Sequence, residues 1–122
     1  MLIEEHPRTE GFCPESYHNG VFEINGHSYA EPLALTDSLR VLPPSLQVQD
    51  LSAAADFLQN AADLPELILV GTGEKQQFLH PRISAELAAK GVGLACMNTA
   101  AACRTLLLLQ GEGRKVWAWL WP

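Results

Sequence analysis

The chain has 122 residues, 48% of them hydrophobic and 18% charged, which supports one packed domain and argues against disorder. Its formal net charge of −6 disfavours a nucleic-acid ligand, which calls for a basic stripe. The longest apolar runs, Leu106–Leu109 and Val116–Trp121, fall far short of the roughly 18 residues a membrane span needs, so no membrane insertion is expected. The acidic start, Met1-Leu2-Ile3-Glu4-Glu5, fits neither a secretory signal nor a transit segment, and the reading is cytoplasmic.

Residues 1–19 show no periodicity and read as an irregular lead-in, with the domain occupying residues 20–122. Val21–Ile24, Asn25-Gly26 and His27–Tyr29 form a hairpin pattern, because Asn-Gly supplies the two positive-φ residues of a type I′ turn. Short strands at Leu33–Thr36 and Leu39–Leu42, ended by Pro43-Pro44, complete a small N-terminal antiparallel layer. Asp50 can cap a helix from Leu51 to about Asn60, where Leu51, Ala54, Ala55 and Leu58 recur at helical spacing, and Pro65 bars its continuation.

The second half alternates strand and helix. Glu66–Val70 is a continuous apolar strand of the kind buried on both faces, followed by Gly71-Thr72-Gly73. Pro81 suits the first turn of a helix to about Lys90, with Gly91 as its stop. A strand over Val92–Met97 precedes a helix capped by Asn98 or Thr99 and running to about Leu109. Gly111–Gly113 then turns the chain into a last strand, Lys115–Trp121. This succession predicts an α/β fold built from crossover units.

Ligands of open parallel sheets bind outside the carboxyl ends of the strands. The two readable ends are Gly71–Gly73 and Asn98-Thr99, and Arg82 and Arg104 could reach the same edge, making a candidate site for a small anion. Two plainer readings stand beside it: glycines serving a tight turn, and an Arg104 ion pair with the acidic first half. Residue 76 is Gln where a dinucleotide fingerprint has its third glycine, and no Gly-Lys-Ser/Thr phosphate loop occurs. Residues 1–70 carry eleven acidic side chains against Arg8 and Arg40, whereas residues 71–122 carry six basic against three acidic. The basic half either binds an anion or faces the acidic half of its own chain.

Cys13, Cys96 and Cys103 form no Cys-x-x-Cys pair and have no histidine at ligand spacing, so neither disulfide framework nor metal site is expected. Cys103 lies early in a helix, where the dipole can lower a thiol pKa, although Ala100–Ala102 beside it suggests tight packing. His80 before Pro81 reads as a surface or capping residue. No catalytic triad or carboxylate pair can be assembled from spacing. Trp117, Trp119 and Trp121 alternate along the last strand and share one side. Either the strand is central and buried on both faces, or the tryptophan side meets the N-terminal β layer or a partner.

Read together, Pro65–Gly73, Gly91-Val92-Gly93, Met97, Thr99–Ala101, Arg104-Thr105 and Glu112–Val116 resemble the ordered motifs of one family, as does the hairpin with Asn25-Gly26 and Tyr29. That family is a set of small, mostly uncharacterised proteins that includes mitochondrial respiratory complex I assembly factor 3 and an adipogenesis-associated protein. The resemblance covers about residues 20–122. It implies a three-layer α/β fold with a mixed central sheet, flanking helices and a smaller β layer. It implies no established enzymatic activity and no cofactor; the one assigned role is assembly of a respiratory complex, hence a protein partner or self-association. Two departures stand out: Ala95 where members usually carry an acidic residue, and Leu106-Leu107 in place of a Tyr-Asn pair.

Overall fold

The computed structural model describes residues 12–58 and 63–122. Two sheets form. The smaller is a meander of β1 (Ser16–His18), β2 (Val21–Ile24) and β3 (His27–Tyr29), antiparallel throughout. Asn25 and Gly26 take φ of 52° and 82°, as a type I′ turn requires. Asn19 and Gly20 repeat the device between β1 and β2, with φ of 53° and 75°. The expected irregular lead-in therefore ends in a strand, and its first eleven residues lie outside the described ones.

The larger sheet is mixed. Its strands are β4 (Leu33–Leu35), β5 (Leu39–Val41), β6 (Leu67–Thr72), β7 (Gly93–Met97) and β8 (Val116–Trp121), in the order β5-β4-β8-β6-β7. β6 runs parallel to both β7 and β8, while β4 is antiparallel to β5 and β8. The expected four-stranded N-terminal layer is thus corrected: β4 and β5 belong to the main sheet. All three residues of β4 are buried, because a strand inside a sheet covered on both faces has no solvent side.

β8, last in sequence, sits in the middle, and its alternation divides the core in two. Trp117, Trp119 and Trp121 pack with Ile68 and Val70, with Phe57, and with Ile83 and Leu87 of α1 (Pro81–Ala88). Val116, Ala118 and Leu120 pack with Phe22 and Ile24 of the small sheet and with Ala102 and Leu106 of α2 (Thr99–Gly111). Trp119 meets Phe57 edge-on at 4.8 Å between centroids.

The helix expected over residues 51–60 is also corrected. A 3₁₀ turn at Val48–Asp50 and one widened turn at Ala53–Phe57 occupy that region; residues 59–62 lie outside the described ones. Asp50 ends the 3₁₀ turn, its carboxylate accepting the Gln47 N–H at 2.9 Å, so it caps no helix from Leu51. Part of the charge asymmetry is met within the chain. Lys115 pairs with Asp63 at 2.7 Å and Asp37 at 4.0 Å, and Arg114 with Glu66 at 3.1 Å, each joining a basic second-half residue to an acidic first-half one.

Candidate functional site

The carboxyl end of β6 meets the start of α2, as the alternating pattern led one to expect, and the carboxyl end of β8, which that pattern did not place, joins them. Gly71 lets β6 and α2 approach closely at this junction, where a side chain would force its neighbours to shift. A Cβ there would stand 2.9 Å from Leu120 Cδ2 and 3.1 Å from both Ala102 Cβ and the Thr99 Cα. Gly73 has φ of 92°, the left-handed turn that releases the chain from the strand.

Polar groups at the junction bond one another. The Thr99 hydroxyl accepts the Gly73 N–H at 2.8 Å and donates to the Trp121 carbonyl. Thr99 N–H donates to the Gly73 carbonyl at 2.9 Å. Asn98 caps α2, its Oδ1 accepting the Ala101 N–H at 2.9 Å. The Thr72 hydroxyl donates to the Lys75 carbonyl at 2.7 Å and accepts the Gln77 N–H at 3.0 Å. Gly71, Thr72, Gly73, Asn98 and Thr99 do come together, but as a lock tying three strand ends to a helix.

The two arginines are not brought together. α1 covers the tryptophan face and α2 the opposite face, so Arg82 and Arg104 lie on different sides of the sheet. Arg82 borders a cleft of about 400 Å³ with Gln49, Ser52, His80 and Glu86. His80 caps α1, its Nδ1 accepting the Arg82 N–H at 3.0 Å. Arg104 borders a cleft of about 240 Å³ between the small sheet and α2, with Glu15, Tyr17, Cys103 and Leu107. Among the described residues Arg104 makes no ion pair. A neighbouring cleft of about 610 Å³ shares Tyr17 and Ala100 with it and adds His18, Glu74 and Pro122. The small sheet's contribution was missed in sequence, although Asn19-Gly20, the turn that presents Tyr17 and His18, was a legible signal.

The thiols run against the dipole expectation. Burial pushes Cys103 up to about 12 and Cys13 up to about 11, with a smaller downward pull on Cys103 from Arg104. Burial likewise raises Cys96. All three cysteines are free and half-buried. The three indoles are covered by the chain itself, with 5%, 1% and 9% of their surface exposed in order, so the tryptophan side is an inner layer. Large apolar side chains stand exposed elsewhere: Phe78, and Leu107 and Leu108 on α2. Among the described residues no cluster could hold a metal ion, and no helix is long and apolar enough to cross a membrane.

Comparison with known proteins places this geometry. The model of a family of proteins of unknown function (DUF498/DUF598) matches residues 14–121. NADH dehydrogenase (ubiquinone) 1 alpha subcomplex assembly factor 3 of Danio rerio is 29% identical over 129 residues, covering 100% of this chain and 71% of that protein. The 13 kDa major membrane protein of Francisella tularensis is 33% identical over 120 residues, covering 94% of each. The solution structure of a Bordetella pertussis protein described as a Mth938-like domain superposes with a TM-score of 0.73 at 28% identity, covering 100% of this chain and 92% of that one. The chain spans between 59% and 71% of the length of the assembly factors it matches.

Proposed function

The chain belongs to the DUF498/DUF598 family, and from that membership we propose that it is a non-enzymatic, protein-interacting domain serving as an assembly or accessory factor of energy metabolism. Relatives named as complex I assembly factors align with its whole length, which supports the reading. The observation that carries it further is the junction at Gly71–Gly73 and Thr99. Its N–H and hydroxyl groups are bound to one another, which leaves few donors to hold a substrate in place. Exposed Leu107 and Leu108 on α2 supply apolar surface suited to a protein partner. Deletion of the chain from its host should lower the amount of assembled NADH dehydrogenase on native gels, with restoration by the wild-type chain. Unchanged assembly in the deletion strain sinks the reading.

A second reading rests on one observation: Arg104, without an ion pair among the described residues, borders the cleft between α2 and the small sheet. A small anion could bind there. A thermal-shift series with phosphate, sulfate and carboxylic acids distinguishes the two. Stabilisation that saturates with one anion and vanishes in Arg104→Ala favours this reading, whereas a flat series removes it.

A further inference from the structure

β7 closes one side of the main sheet, and among the described residues no strand pairs with its outer edge. Its five residues, Gly93-Leu94-Ala95-Cys96-Met97, include no charge and no proline, the usual guards of an exposed edge. The hydrogen bonds fix which backbone groups point outward. Gly93 N–H donates to the Glu66 carbonyl at 3.0 Å, and β7 is parallel to β6. Gly93, Ala95 and Met97 therefore turn their backbone groups toward β6, and Leu94 and Cys96 turn theirs away. The Val92 carbonyl, opposite the Gly93 N–H across a trans peptide, also points away.

Two outward groups on this edge are already used. Val92 N–H donates to the Leu87 carbonyl at 3.0 Å, and the Cys96 carbonyl accepts from Gln76 Nε2 at 3.0 Å. What remains is Leu94 N–H, Leu94 C=O, Cys96 N–H and Val92 C=O. This set is self-complementary about Leu94. We propose that β7 pairs antiparallel with β7 of a second copy of the chain, the twofold axis passing beside Leu94. The two Leu94 residues then exchange both of their bonds, and each Cys96 N–H donates to the other copy's Val92 carbonyl. The two positions a full ladder would also use are the Val92 N–H and the Cys96 carbonyl, which the chain satisfies itself. An axis at Cys96 would need the carbonyl that Gln76 holds. An axis at Gly93 or Ala95 would pair only two of the four free groups with one another, whereas the Leu94 axis pairs all four.

The borders of the edge permit close approach. On one face α1 directs Arg82 and Glu86 toward residues 49–53, leaving small Ser84 and Ala88 exposed on its other flank. On the other face Thr105 of α2 touches Met97, its Oγ1 3.5 Å from Sδ, and Leu108, three residues on, is 63% exposed. The two sheets of the pair become one continuous sheet. This pairing stands independently of the assembly-factor reading.

Sedimentation equilibrium of the full chain over about 1–200 µM should show a monomer–dimer equilibrium. Leu94→Lys and Leu94→Glu each set like charges directly opposite at the axis and should raise the dimer dissociation constant at least about tenfold. An equimolar mixture of the two should restore the dimer. Leu94→Pro removes an N–H that the fold does not use and should also leave a monomer, with far-UV circular dichroism confirming that each variant is folded. Should the proline variant fail to fold, the charge pair decides. A wild-type chain still monomeric at the highest concentration overturns the proposal, even if another protein is found on the edge. So does a dimer that survives both charged variants, or a mixture that stays monomeric.

Discussion

Thr99 shows how one hydroxyl can do the structural work that a sequence reader assigns to ligand binding. It is fully buried, accepts from Gly73 and donates to Trp121, so it joins the ends of two strands across the start of a helix. Thr99→Val keeps the shape and removes both bonds, stranding a buried N–H and a buried carbonyl. The expected cost is about 2–3 kcal/mol in urea unfolding, since an unsatisfied buried group costs roughly 1–3 kcal/mol. A loss below a few tenths would mean that water replaces the hydroxyl. The cysteines give a second expectation at this scale. A thiol whose folded pKa is raised stays protonated where the unfolded chain has already ionised, so its contribution to stability holds below pH 9 and fades as pH climbs toward 11 or 12. Alkylation of Cys13 and Cys103 by iodoacetamide should accordingly be slower by tenfold or more at pH 9 in the native chain than in urea, and rise with pH beyond the range of a free thiol. Native labelling as fast as that of the unfolded chain at pH 9 would contradict the burial argument.

Elements with a strong local signature are legible in the sequence. The Asn25-Gly26 hairpin, the apolar strand at Glu66–Val70, the Pro81 helix start and the Asn98 cap all follow from local chemistry, and the structure has each. What escaped was relation between elements. Leu33–Leu35 reads as a strand, but nothing local says that it joins β8, more than 80 residues on, rather than the hairpin beside it. Arg82 and Arg104 both stand early in helices, yet the two helices cover opposite faces, a consequence of connectivity invisible to spacing. Asn19-Gly20 carries the same turn signal, but the short polar run Ser16–His18 before it has no apolar alternation to mark it as a strand. That turn is open to test. Gly20 sits at φ of 75°, so Gly20→Val should cost about 1–2 kcal/mol through left-handed strain, even though the nearest atom to an added Cβ, Pro122 Cβ, is 3.9 Å away. The measurement is the urea midpoint, with the Tyr17–Phe22 stack, 5.0 Å between centroids, as the local probe of the hairpin. An unchanged midpoint would show the turn to be unimportant for docking the small sheet.

At the scale of the whole molecule, β8 makes the two halves of the core one cooperative unit. Its odd-numbered residues supply the three indoles of one cluster, and its even-numbered residues supply Val116, Ala118 and Leu120 to the other. It also pairs on one side with β4 and on the other with β6, so neither cluster can open without releasing a strand that the other needs. Tryptophan fluorescence reports on one face, and the Tyr17 environment, next to α2 and the small sheet, reports on the other. The two should change at the same urea concentration, coincident with far-UV circular dichroism, as a two-state transition requires. Leu120→Ala sharpens the test. Leu120 is fully buried on the face away from the indoles, and truncating it should cost about 2–5 kcal/mol. If β8 couples the faces, the midpoint from tryptophan fluorescence falls as far as the midpoint from the small-sheet probe, although no indole touches the cavity's own cluster. Separate midpoints, with fluorescence left in place, would mean that the sheet is a boundary between two independent cores rather than the link between them.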